Sequence, residues 1–263
     1  MTTGLQTLSL RTASLLLLVF LWWVGATLIH DPEILPGPLA VARDIAGILT
    51  SPGPEGESAW FDIGITLARI VVAFFAAMLA GIGLGLAMGL NRGFDRWMQA
   101  IIPALLTLPT ILMVFLAVMW FGFSEGGGLV AVVVLVTPYV AVNIAEGARA
   151  MDKSLIDMAA TFKAGRGLRL RRIYLPQLLP YIFSAFRYAF GMTWKIVALA
   201  ETFGLKFGIG YMFSFWFNQF DMGRVLAWII LFVVLMLILE HGVFARLEAS
   251  VFRWRAPAAA GRV

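Results

Sequence analysis

Six apolar runs, near residues 14–29, 65–90, 101–121, 129–148, 181–203 and 225–244, constrain this chain more than any other feature. Crossing the hydrocarbon core of a bilayer as a helix takes about 20 apolar residues. In lipid the backbone must satisfy its own hydrogen bonds, so each run is expected to be a helix. Of the 263 residues, 61% are apolar and 13% charged, with a mean hydropathy of +0.90. A soluble core cannot take up that much apolar surface. The reading is therefore an all-α membrane protein with six transmembrane helices in one domain, 1–263. A cleaved signal peptide is the alternative for the first run, but its n-region carries one charge, Arg11, and no small-x-small site follows it. With no cysteine, and with His30 and His241 far apart, neither disulfides nor a metal site are expected, and no cofactor is called for.

Six spans put both termini on one side, and the charges say which. Loops 91–98 and 149–180, the tail from Ala245 and Arg11 hold 14 of the 20 lysines and arginines. The opposite loops carry only Arg43, Lys206 and Arg224, and Asp31, Glu33, Asp44, Glu55, Glu57 and Asp62 crowd the first of them. The positive-inside rule then places both termini and the 149–180 loop in the cytoplasm of a multi-pass membrane protein. The same clustering beside apolar spans explains the net charge of +5 better than nucleic acid does. Gly81, Gly85 and Gly89, with Gly83 between, form a small-residue stripe that lets another helix approach closely in lipid. Pro103, Pro109 and Pro138 predict bent helices in spans three and four.

The 149–180 loop is a polar, basic island inside an apolar sequence, so something outside the lipid must use it. Ser154 and Asp157 match a capping box with aspartate in place of glutamate. Leu155, Met158, Ala159 and Phe162 then fall on one helical face, and Gly165 stands where a C-terminal cap would end the helix. Ala159 and Ala160 keep that helix thin enough to enter a groove. A second piece, 168–174, carries Arg169, Arg171 and Arg172 and is expected to stop at Pro176. Both helices are too short to be stable alone, so they need a partner surface. The competing reading lays the island on anionic lipid.

These residues resemble the EAA loop of ABC-importer permeases of the binding-protein-dependent transport family, which reads E-A-A-x-x-x-G ahead of I/V-x-L-P. Anchoring on Ile173-Tyr174-Leu175-Pro176 places Asp157 at the acidic position, followed by Met158-Ala159. Lys163 stands where that family has glycine, two residues before Gly165, which predicts an altered turn. The resemblance continues in Leu35-Pro36-Gly37-Pro38, Thr66-Leu67-Ala68-Arg69, Trp120-Phe121-Gly122, and Ala200-Glu201 followed by Gly208-Ile209-Gly210-Tyr211. Together these point to the nitrate/sulfonate/taurine-type branch, which also includes pyrimidine-precursor importers. The resemblance implies a type I importer permease that pairs with a second permease copy, as a homodimer or a heterodimer. It implies two ABC ATPase subunits docked through Ser154, Asp157, Met158, Ala159, Ala160, Phe162 and Gly165. It also implies a periplasmic or lipid-anchored substrate-binding protein. No G-x-x-x-x-G-K-[ST] occurs, so the chain is expected to be a non-catalytic subunit with ATP hydrolysis on a partner.

Four residues are candidates for the substrate pathway: Trp194, Lys195, Glu201 and Tyr211. Lys195 lies deep in span five, where a charge by default marks function, such as contact with an anionic substrate. The alternative is an interhelical ion pair with Glu201 or Glu146. For Glu201 a structural role on nearby backbone is favoured over substrate contact. Arg187 is explained by snorkelling, and Glu240 and His241 by the interface. The aromatic segment 208–220 reads as an interfacial belt or as a short re-entrant helix gating the outer mouth. The expected substrate is a small anion such as a sulfonate or nitrate, or a planar heterocycle. A self-sufficient secondary transporter or channel, or a non-transporting scaffold, is the alternative function.

Overall fold

A computed structural model of the chain describes residues 2–244, so the tail from Ala245 lies outside the described residues. The helices are α1 (Thr2–Ile29), α2 (Pro38–Thr50), α3 (Ala59–Leu90), α4 (Arg92–Thr107), α5 (Thr110–Phe121), α6 (Glu125–Arg149), α7 (Lys153–Thr161), α8 (Arg166–Arg169), α9 (Leu175–Gly204), α10 (Ile209–Asn218) and α11 (Met222–Leu239). Short π-helical turns cover Leu170–Tyr174 and Glu240–Phe244. No strand occurs among the described residues. Four helices are long and apolar enough to cross a membrane, or up to six if each of two bent helix pairs counts as one span. The described residues divide into two compact units, 2–64 with Phe207–Leu235, and Ile65–Lys206 with 236–244.

The second unit is organised around α6. Its buried side, including Val132, Val136, Val140, Ile144 and Ala148, repeats at fours, the spacing of one helical face. α3 reaches that face through its glycines: a Cβ built on Gly85 would lie 2.5 Å from the Ala141 carbonyl oxygen. The stripe thus packs two helices as its spacing predicts. On α9, Ala185, Ala189, Thr193, Ile196, Val197 and Ala200 are buried. Phe74 of α3 meets Phe186 and Phe190 of α9 edge-on at 4.7 and 6.0 Å.

Span three departs from its predicted form. The expected run 101–121 is two helices, α4 and α5, bent by 99° at a break before Pro109. Proline offers no N–H and pushes the residue before it out of the helical region; Leu108 is indeed extended, with ψ 131°. Pro103 and Pro138 lie inside α4 and α6 without ending them. A single proline breaks this span because Pro109 starts a new helix.

In the first unit, Trp22 of α1 donates its indole N–H to the Pro36 carbonyl at 3.0 Å. That bond ties down the Leu35-Pro36-Gly37-Pro38 segment, and Pro38 then opens α2 at the helical position that tolerates it. α2 is a helix additional to the six expected spans. At the other end of the unit Gly208, at φ +102°, donates its amide to the buried Asp62 carboxylate at 2.7 Å before α10 begins. A side chain at position 208 would be strained in that conformation, which explains the glycine of the Gly208-Ile209-Gly210-Tyr211 motif.

Candidate functional site

α7 is a two-turn helix held by caps at both ends. Its N-cap is Asp152, whose carboxylate accepts the Ser154 amide at 2.8 Å. Hydrogen bonds from Ser154 hold the Asp152 carboxyl below the usual carboxylate range. Ser154 is therefore inside the first turn, and the expected Ser154–Asp157 capping box is not the cap. Aspartate two residues earlier does the work, because an ionised side chain also complements the positive end of the helix. The Asp152 amide is fixed in turn by the Gln177 side chain at 2.6 Å.

The other end corrects two more expectations. Lys163 takes φ +51°, the left-handed conformation, and Ala164 donates back to the Ala159 carbonyl at 2.9 Å. That is a Schellman closure with Lys163 in the position glycine usually fills. The turn is thus unaltered by the lysine, which adopts the glycine conformation. Gly165, at φ −62°, is the N-cap of α8 and has no capping role for α7. Pro176 does not stop a helix either. The chain stays helical from Arg166 to Gly204, with a π-turn before Leu175 and Pro176 in the first turn of α9.

Held this way, α7 turns Ala159 inward, 5% exposed, and leaves Leu155, Met158 and Phe162 outward at 39, 49 and 79%. Ala159 packs against its own chain, so it is not part of an outward docking face. Ala160 and Asp157 are exposed. Three large apolar side chains of this capped helix are thus exposed together.

A buried charge cluster sits elsewhere in the same unit. Arg69 of α3 donates to Glu201 of α9 at 2.7 Å, forms an ion pair with Glu125 of α6, and donates to the Lys206 carbonyl at 2.8 Å. Thr66, one turn before Arg69, donates to the other Glu201 oxygen at 3.0 Å. The Arg69 and Glu201 side chains are 5% and 0% exposed, whereas Glu125 is 61% exposed. Both Glu201 carboxylate oxygens thus take side-chain partners from α3 inside the unit. The Thr66–Arg69 and Ala200-Glu201 motifs, each weak alone, are the two halves of one ion pair.

The remaining pathway candidates are placed differently. Lys195 is exposed and lies over the Trp194 ring, 5.4 Å from its centroid, with no carboxylate partner among the described residues. Tyr211 belongs to the first unit and donates its hydroxyl to Glu55 at 2.7 Å.

With this geometry established, comparison with known proteins decides the family. Residues 77–247, more than half of the chain, match the family described as binding-protein-dependent transport system inner membrane component. The chain belongs to this family. It is 31% identical to the taurine transport system permease protein of Escherichia coli, over 94% of this chain and 90% of that one. It is 28% identical to the formylaminopyrimidine transport permease protein of Halalkalibacterium halodurans, over 93% and 95%. Its fold resembles a chain of the MetNI methionine ABC transporter in an inward-facing conformation, with a TM-score of 0.61 at 17% identity, over 71% of this chain and 92% of that one. The protein is a multi-pass inner-membrane permease subunit of an ABC importer.

Proposed function

We propose that α7 is the coupling helix through which this permease meets a separate ATPase subunit, and that its face of Leu155, Met158 and Phe162 enters the ATPase groove. The exposed apolar face of a helix capped at both ends carries this reading. The distribution of lysine and arginine supports a cytoplasmic location for α7 and for both termini. Two ATPase copies, a second permease copy and a substrate-binding protein on the opposite side complete the proposed assembly. ATP is hydrolysed on the partner. Replacing Met158 and Phe162 together with aspartate is expected to abolish co-purification with the ATPase, since buried anchors of this kind contribute about 2 kcal/mol or more each, about 30-fold in affinity per residue. The protein itself should remain folded, because both positions are exposed. Retained ATPase binding and substrate-stimulated hydrolysis would remove α7 from the coupling role.

The substrate we infer is a small anion of the sulfonate or nitrate class. Lys195 supports this: it is a cation in a membrane-spanning helix, on an exposed face and without a carboxylate partner among the described residues, so it is available to an anion arriving from outside the unit. The relative that transports taurine, an aminosulfonate, agrees with that chemistry. The formylaminopyrimidine relative keeps a planar heterocycle as the second candidate. Lys195→Met is expected to reduce uptake of the anion by at least tenfold while the assembled complex is recovered in normal amount. Normal uptake in that variant would exclude the residue from the pathway.

A further inference from the structure

A cavity of about 590 Å3 opens in the second unit between the ends of α3 and α6 and the starts of α4 and α7. Its wall includes Arg92 and Arg96 of α4, Arg149 of α6 and Lys153 of α7, against one carboxylate, Asp95. Arg149 forms an ion pair with that carboxylate. Arg92, Arg96 and Lys153 make no ion pair among the described residues. Three uncompensated cations around a concavity repel one another, and an anion seated among them relieves that repulsion.

The surroundings say which anion. Leu90, at the end of the membrane-spanning α3, lines the same cavity and is 68% exposed. Trp97, 63% exposed and packed against Phe94 at 6.0 Å between ring centroids, stands one residue beyond Arg96. An exposed tryptophan beside arginines at the end of a span marks the headgroup level of a bilayer. The occupant this surface suits has a phosphate for the cations and an acyl chain for the apolar rim. We propose that the cavity binds the headgroup of an anionic phospholipid. Lys153 and Ile156 belong to α7 and line the cavity together with α4. The bound headgroup therefore bridges α7 to α4 and steadies the proposed coupling helix. The cytoplasmic placement of the lipid rests on the orientation proposed above; the binding itself does not.

The test is lipid retention by the purified full chain, read by native mass spectrometry after exposure to phosphatidylglycerol or to phosphatidylcholine. This readout requires no ATPase, so its failure is separate from failure of the docking reading. The chain is expected to retain phosphatidylglycerol and not phosphatidylcholine. The triple variant R92Q/R96Q/K153Q should bind it roughly 100-fold more weakly, and Lys153→Gln alone roughly fivefold, from the usual contribution of each basic residue near anionic lipid. Arg171→Gln with Arg172→Gln, on the exposed π-turn outside the cavity, should retain lipid normally. Equal retention by the triple variant would overturn the proposal. So would equal loss in the Arg171/Arg172 control, which would reveal diffuse surface charge alone. Displacement of the lipid by millimolar glycerol phosphate would overturn it in favour of a soluble anion.

Discussion

Glu201→Leu is expected to destabilise the second unit by about 3–5 kcal/mol, the usual cost of removing one partner from a buried ion pair. Arg69 would lose its buried carboxylate while keeping Glu125 and the Lys206 carbonyl, and Thr66 would lose its bond to Glu201. The loss is large because the Glu201 side chain is fully buried and Arg69 nearly so. With its side chain 5% exposed, the guanidinium that remains is poorly solvated. Glu125→Gln is expected to cost about 1 kcal/mol or less, because that carboxylate is mostly exposed and its charge is already solvated. Arg69→Met combined with Glu201→Leu should recover much of the loss, since removing both charges leaves neither one buried alone. Thermal unfolding of detergent-purified protein checks the ranking, with a drop on the order of 10 °C for Glu201→Leu. If Glu201→Leu melted with the parent protein, or Glu125→Gln melted as low as Glu201→Leu, the cluster would not be a structural clamp.

That clamp shows where the sequence stops being legible. Arg69 and Glu201 were both visible as charges inside or beside apolar runs, and both sat in motifs of the family. Their pairing was not visible, because 132 residues separate them and nothing local records the contact. Lys195, the nearest charge to Glu201 within the same span, is the natural wrong partner. Six positions turn a helix by about 240°, so the two cannot share a face, and that argument alone would have excluded the pair. Features set by local periodicity were readable: the apolar runs, the glycine stripe, and the apolar face of α7. Features set by competition between neighbouring residues were not. Asp152 and Ser154 are both good N-caps, and sequence does not choose between them. At Lys163 the family position correctly marked the left-handed residue, while residue type suggested that the turn had moved. The tertiary context holds a lysine where glycine would be easier. The broken third span falls between these cases, since Pro109 announced a bend without its size.

The largest packing effect is expected at Gly85. A Cβ there would lie 2.5 Å from the Ala141 carbonyl oxygen and 2.7 Å from the Ile144 Cβ. The first of these is backbone inside α6, so no rotamer change relieves the clash. Gly85→Val must push α3 and α6 apart, and it exposes voids along the whole face that Gly81 and Gly89 also share. Overpacking of this kind costs about 1–3 kcal/mol where neighbours can move and more where they cannot. The expected outcome is loss of monodisperse protein from the membrane extract. Gly83→Ala is the matched control: a Cβ there meets nothing within 4 Å. It should be neutral or slightly stabilising, since alanine is the better helix former. Equal yields and melting temperatures for the two variants would show that the stripe does not set the α3–α6 distance. The consequence reaches past stability, because α6 ends at Arg149 and α7 begins at Lys153. A shift of α6 away from α3 carries the start of α7 with it. A milder Gly85→Ala protein that still folds should therefore show weakened ATPase stimulation before it shows any loss of substrate-binding-protein docking.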